Sequence, residues 1–369
     1  MGVLAKLFGL IPGYRLYLLL CLCVLATGTL LLVARLTGHR FVAAATAVTS
    51  SLAYTITFPV GVCAEFPHLI GYAMLPWLLM VCCETVSGAA ASDPTAGPSP
   101  RRAVWCALLL GLIALSNPPL GYRCALTFAL VLCVEAVVSP NLDRKATLRL
   151  GTFLAAVGVA CLLLVVSRAW LALHTTHAIE ANTPGWSLGS PPAFTDFLAR
   201  RLRFAPFDRA NVVELPYLGL FACVLLVWGV AAGIARRSWI PGERGLLAGA
   251  LFWALAYRFP QVWHLVPLAG LDGAPFRSSY LAVQLATVCA GLAAARIARG
   301  NARLPRVMAL LLVLGIGDLF HARWMVLKDL LDVEALPQRV AFREMGRTTA
   351  CTTNVTGSSR CSSARLSRV

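Results

Sequence analysis

The chain has 369 residues, of which 59% are hydrophobic and only 13% charged, and it carries a formal net charge of +16. Soluble domains carry roughly 25% charged residues, so this composition, with a mean hydropathy of +0.75, excludes an assembly of soluble domains. The positive charge does not indicate nucleic acid, because the arginines sit at the ends of apolar runs, where they meet lipid headgroups and set topology.

Ten apolar segments follow one another, and helices are predicted at 16–35, 41–60, 67–84, 103–118, 123–138, 149–172, 214–235, 244–258, 278–298 and 304–322. A helix needs about 20 apolar residues to cross a ~30 Å hydrocarbon core, and the segments at 16–35, 149–172, 214–235 and 278–298 fit that length best. The first is too long for a signal peptide and lacks a small-residue cleavage site. Asn117-Pro118-Pro119 interrupts the pair at 103–118 and 123–138. Proline removes a backbone donor, so these two are either full spans or two half-depth helices.

Basic residues cluster in alternate connections. Arg35 and Arg40, then Arg101 and Arg102, then Arg144, Lys145 and Arg149, then Arg236, Arg237 and Arg244, then Arg299, Arg303 and Arg306 follow the odd-numbered segments. The opposite short connections hold few cations: none at 61–66, Arg123 alone at 119–123, then Arg258 and Arg277. By the positive-inside rule the first group is cytoplasmic, which directs the N-terminus, the loop 173–213 and the C-terminal tail outward. The expected organisation is a transmembrane domain over 1–325, a short outer helical segment over 326–345 and a disordered tail over 346–369. That tail is rich in Ser, Thr and Arg, includes the glycosylation pattern Asn354-Val355-Thr356, and holds Cys351 and Cys361 as free thiols. Eleven of the 13 cysteines lie in or beside apolar runs, where cysteine acts as a small hydrophobe. No C-x-x-C occurs, so neither a zinc set nor a redox motif is indicated.

The polar residues that bear chemistry lie on the outer connections. Glu65 and His68 flank Phe66-Pro67, and a carboxylate beside a histidine suits general-base work. Arg123 follows the proline pair; its guanidinium suits a phosphate or a snorkelling anchor at the interface. His174, His177 and Glu180 share a helical face, yet they lack the firmer H-E-x-x-H pattern of a metal site. No metal or other cofactor is assigned, although a divalent ion stays compatible. Residues 194–204, with Asp196, read as a basic amphipathic helix along the headgroup layer. The richest connection runs from Arg258 through Trp263, His264 and Asp272 to Arg277, where an arginine at headgroup depth suits a lipid phosphate or diphosphate. Asp318 is placed to pair with one of these arginines, and Glu135 is expected to be solvated at the cytoplasmic boundary. No P-loop, nucleophile elbow, dinucleotide fingerprint or repeat of 20–50 residues occurs.

The order of features resembles a known group. Arg35-Leu-Thr-Gly-His-Arg40 leads to a small-residue span ending in Ser51-Leu-Ala-Tyr54. The Glu65-Phe-Pro-His68 turn and Leu69-Ile-Gly-Tyr72-Ala-Met-Leu-Pro76-Trp77 follow, then Ser116-Asn117-Pro118 and Pro275-Phe276-Arg277. Over residues 14–325 this is similar to YfhO-type and 6-pyruvoyl-tetrahydropterin-synthase-related membrane proteins of bacteria and archaea, and more broadly to GT-C glycosyltransferases.

The resemblance implies an all-α polytopic membrane protein of the cell envelope, with about ten transmembrane helices in the inner or plasma membrane. It implies transfer of a sugar from a polyprenyl-phosphate donor at the extracytoplasmic face. Arg277 matches the family's arginine ahead of a late span; Glu65 and His68 match its outer turn loosely. On this reading Glu65 and Asp196 are the catalytic carboxylates. His68, Arg123, Arg258, His264, Asp272 and Arg277 bind the lipid-linked substrate.

GT-C enzymes carry their catalytic acid in a first outer loop that has no counterpart ahead of Glu65. The resemblance therefore implies a missing upstream span and a missing C-terminal outer domain. Two other readings stay open: a non-enzymatic lipid or solute transporter, and an inactive fragment or assembly partner of a larger membrane protein. A transporter predicts mid-membrane charges and inverted repeats, and neither is evident in the sequence.

Overall fold

The computed structural model of the protein describes residues 6–57, 66–90, 98–116, 118–139, 142, 144–180, 219–236, 238–259, 262, 278–298 and 304–331. These residues form helices and no strand. Ten helices of 16 to 37 residues follow in order: α1 (Leu10–Thr37), α2 (Arg40–Thr57), α3 (Phe66–Ala90), α4 (Pro100–Ser116), α5 (Pro118–Val138), α6 (Arg144–Glu180), α7 (Leu220–Arg236), α8 (Glu243–Arg258), α9 (Ser278–Ile297) and α10 (Leu304–Leu331). Each falls on one of the ten predicted segments. The largest differences are at α6 and α10, which run on to Glu180 and Leu331, past the apolar segments, because no Pro or Gly stops them there.

Among the described residues, four stretches are long and apolar enough to cross a membrane: Arg15–Thr37, Ile70–Ala89, Leu120–Val138 and Tyr280–Ile297. Of the four segments judged best from sequence, those in α1 and α9 are among them. The α7 helix is apolar but has only 17 residues. Within the proline-interrupted pair, α5 has the length of a full span, whereas α4, at 17 residues, is slightly shorter.

Glycine and proline shape the contacts. α1 stops at Gly38, which adopts a left-handed φ of 76° and donates its N–H to the Ala34 carbonyl; this conformation costs glycine least. Only Gly38 and His39 separate α1 from α2, so the two form a tight hairpin. Pro76 lies inside α3, and the adjacent Trp77 donates its indole N–H to the Val24 carbonyl of α1 at 3.1 Å. That approach requires Gly28, since a Cβ there would lie 2.6 Å from Trp77 Nε1. α4 and α5 close as a second hairpin, in which a side chain on Gly121 would overlap Ala114.

The core is built around α9, which packs on α1, α2, α7 and α8. Its Ala282, Ala290, Ala293, Ala294 and Ala295 are all buried, and small residues let helix backbones approach closely in an apolar medium. Gly291 of α9 sits against Thr46 of α2, and Gly229 of α7 against Ala293; a Cβ on either glycine would overlap its neighbour. Gly229 and Gly233 form the small-xxx-small spacing on α7 that favours such contacts.

The chain divides into a unit of residues 1–324 and a unit of residues 325–369. Of the second, only 325–331 are described, as helix. The predicted tail at 346–369 lies outside the described residues.

Candidate functional site

Several helix ends that flank the basic connections meet at one end of the bundle. Arg35 at the end of α1 pairs with Glu84 near the end of α3 at 2.6 Å, and Arg102 at the start of α4 approaches the same carboxylate at 3.8 Å. Gly242, just ahead of α8, packs on Cys83. Arg244 donates to the Val138 carbonyl at the end of α5 at 2.6 Å. We call this the basic end, and the opposite one the distal end.

Near the distal end, four helices enclose a ring. Gly71 of α3 packs on Leu120 of α5. Trp253 of α8 donates its indole N–H to Thr127 Oγ1 of α5 at 2.8 Å. Gly249 of α8 packs on Leu285 of α9, and Gln284 of α9 donates to the Tyr72 carbonyl of α3 at 3.3 Å, closing the circle. Tyr72 and Tyr280 stack edge to face with centroids 5.5 Å apart.

Arg123 is on α5, one of the four helices of this ring. One turn distal of Thr127, which donates its hydroxyl to the Arg123 carbonyl, its side chain is 1% exposed. One turn distal of Trp253, Tyr257 is also buried. The expectation of a snorkelling anchor at Arg123 is therefore corrected. The helical period explains why: Leu120, Arg123, Cys124, Thr127, Phe128, Val131, Leu132 and Glu135 recur at spacings of three and four and are all buried, so Arg123 falls on the core stripe of α5. A guanidinium in an apolar bundle is expensive and is by default a functional candidate. Its fixed fork of donors suits carboxylate or phosphate. Gln284, 3% exposed, leaves its Oε1 without a hydrogen-bond partner among the described residues, so the ring also offers a vacant acceptor.

The other predicted site residues divide by position. Glu65, Asp196, His264, Asp272 and Arg277 lie outside the described residues. His68 falls in the first turn of α3 and Arg258 is the last residue of α8; their side chains are outside the described set, as are those of His174, His177 and Glu180 in α6. Phe66, Pro118, Arg258 and Ser278, the helix ends that these sequence positions flank, belong to the four helices of the ring. Asp318 of α10 accepts the backbone N–H of Leu220 at the start of α7, at 3.0 Å, and so serves a helix terminus. Among the described residues, no group of three or more His, Cys, Asp or Glu is placed to hold a metal ion.

Sequence reasoning missed the polar core near the basic end. Glu135, expected to be solvated, is buried and accepts the Gly245 N–H of the first turn of α8 at 3.0 Å. It satisfies a donor that an isolated helix would leave orphaned and meets the positive end of the helix dipole. Glu243 Oε2 accepts both the Ile240 N–H at 3.0 Å and Arg296 Nη1 at 2.9 Å. Arg296 also donates to the carbonyls of Ser238 and Gly229, and its guanidinium lies 4.7 Å from the centroid of the Trp239 ring. The sequence signal was available: Arg296 and Glu135 each sit three or four residues from several core positions of their own helices. The place of Glu135 near a helix end instead argued for solvation, and Arg296 was not singled out.

No protein-family model matches the chain, and no curated protein is significantly similar to it in sequence. What fold and site define is a class: a protein whose described residues are all-helical, with four helices among them long and apolar enough to cross a membrane, suggesting a membrane protein, with a buried arginine in its helix core.

Proposed function

We propose that the protein is a multi-pass membrane protein of about ten spans and GT-C-like architecture. In this reading its distal end faces away from the cytoplasm and takes a polyprenyl-phosphate-linked sugar. The observation that supports it is the buried Arg123 on α5, one of four helices, α3, α5, α8 and α9, whose flanking connections in the sequence carry Glu65, His68, Arg258, His264, Asp272 and Arg277. Arg123, Arg258 and Arg277 would neutralise the phosphate, with His68, His264 and Asp272 orienting the carrier. Glu65 or Asp196 would take the proton from an acceptor hydroxyl. The acceptor oxygen then bonds to the anomeric carbon as the carbon–oxygen bond to phosphate breaks, and the departing phosphate keeps the electron pair, stabilised by arginine.

The test is titration of polyprenyl phosphate into the purified full chain in lipid nanodiscs, read by intrinsic tryptophan fluorescence. Arg123→Gln and Arg277→Gln should each weaken binding by about tenfold or more, as expected for loss of a charge-assisted contact worth about 1.5–3 kcal/mol. Unchanged affinity in both, with the thermal midpoint retained, would remove the reading.

A second reading, passage of a polar solute, is favoured by three buried atoms without hydrogen-bond partners among the described residues: Thr29 Oγ1, Ser50 Oγ and Gln284 Oε1. Such groups are costly unless water or a ligand satisfies them. Solute flux in proteoliposomes that is insensitive to polyprenyl phosphate would favour this reading.

A further inference from the structure

We infer that the edge formed by α4 and α6 near the basic end is a binding site for an anionic phospholipid. The two helices pack side by side and both begin at this end, with Arg101 in the first turn of α4 and Arg144 and Lys145 in that of α6; Arg149 follows one turn later. All four cations are exposed.

Their surroundings differ from those of Arg35, Arg102 and Arg296, which have carboxylate partners. Glu84 is engaged by Arg35 and Arg102, Glu135 by the start of α8, and Glu243 by Arg296. Every carboxylate described at this end is thus already engaged. Arg101, Arg144, Lys145 and Arg149 form no ion pair among the described residues. In the sequence, 100–102 and 143–149 hold five cations against the single carboxylate Asp143.

Apolar side chains continue from the cations along both helices. On α4, Trp105, Leu108 and Leu112 share the face of Arg101 at helical spacing and are 53%, 40% and 55% exposed. On α6, Leu148 lies between Lys145 and Arg149 at 69% exposed, and Val159 and Leu163 extend its face. Headgroup cations above an apolar stripe match one amphiphile, a lipid with a phosphate head and acyl chains. Basic clusters between helices at the cytoplasmic side select anionic over zwitterionic headgroups. Trp105 adds an interfacial ring where head and chain meet.

The experiment uses the purified full chain in nanodiscs of phosphatidylcholine containing dioleoyl phosphatidylglycerol, with retained lipid counted by native mass spectrometry. The wild type should retain phosphatidylglycerol in preference to phosphatidylcholine, and moderate salt during washing should reduce retention. The quadruple variant R101Q/R144Q/K145Q/R149Q should lower that preference by a factor on the order of several hundred, given about fivefold per basic residue, and W105A should lower it further. The triple variant R40Q/R236Q/R306Q, also changing exposed cations, should retain it. Equal loss in the quadruple and triple variants would show only diffuse attraction to the whole basic end. Undiminished retention in the quadruple variant would overturn the site outright. Both variants change exposed side chains, so an unaltered thermal midpoint in detergent separates lipid loss from unfolding.

Discussion

Arg296 and Glu243 form an ion pair at 2.9 Å in which both side chains are almost wholly buried. The guanidinium reaches Glu243 across a face of α7 that carries no side chain at Gly229 and Gly233; a Cβ on Gly233 would lie 2.6 Å from Arg296 Nη1. The pair therefore joins α7, α8 and α9. Removing one partner leaves the other charge buried and uncompensated, which costs about 3–5 kcal/mol. Glu243→Gln and Arg296→Met should each lower the thermal midpoint of the purified protein strongly. The double variant should be less damaged than the two single losses added together; strict additivity would show that the two side chains do not act as a pair.

Gly229 is a steric requirement of the same junction. Its neighbour Ala293 leaves no room for a Cβ, so Gly229→Val should push α7 from α9. Overpacking of this kind costs about 1–3 kcal/mol. Gly158, where a Cβ would meet nothing, supplies the comparison. Gly158→Ala should leave the unfolding midpoint in detergent unchanged or slightly raised, and equal losses at the two glycines would contradict the packing argument.

Glu135 acts as a cap supplied by another helix. Glu135→Gln keeps an acceptor for the Gly245 N–H but removes the negative charge at the start of α8. The expected loss is about 0.3–2 kcal/mol. Glu135→Ala should lose more, because a buried N–H is left unsatisfied. Chemical denaturation of the three proteins in one detergent would give the order wild type, Gln, Ala; Ala as stable as Gln would refute the cap.

The contact of α5 with α8 rests partly on the Trp253–Thr127 hydrogen bond. Trp253→Phe keeps most of the buried ring and deletes the donor, which should cost about 0.5–1.5 kcal/mol. The same substitution should reduce polyprenyl-phosphate affinity only slightly, because Trp253 helps set the α5–α8 register and is not proposed to hold phosphate. A loss as large as that of Arg123→Gln would move the proposed contact from Arg123 to the α5–α8 interface as a whole.

The arrangement of helix ends predicts sidedness. With native cysteines replaced, single cysteines at Arg40, Arg101 and Arg236 should react with a membrane-impermeant maleimide only after the membrane is opened. A cysteine at His68 should react in intact cells. Labelling of Arg101→Cys and Arg236→Cys from opposite sides would contradict both the shared basic end and the number of crossings.

Apolar run length, proline and glycine placement, and arginine spacing carried the positions of all ten helices, because these are local properties of the backbone and of its solvent. They also grouped Arg35, Arg102 and Arg244 at one set of helix ends, since successive antiparallel helices return alternate ends to the same side. Which face of each helix turns inward was only partly legible. The period through Leu120, Thr127 and Val131 already put Arg123 on the core stripe of α5, yet arginine's usual preference for water argued the other way. Partnership was not legible at all. That Glu135 would cap α8, that Arg296 would find Glu243 across the glycines of α7, and that Glu84 would draw in Arg35 and Arg102 depended on residues distant in sequence. Their energies come from desolvation and from close approach between helices, and neither exists until the bundle has closed.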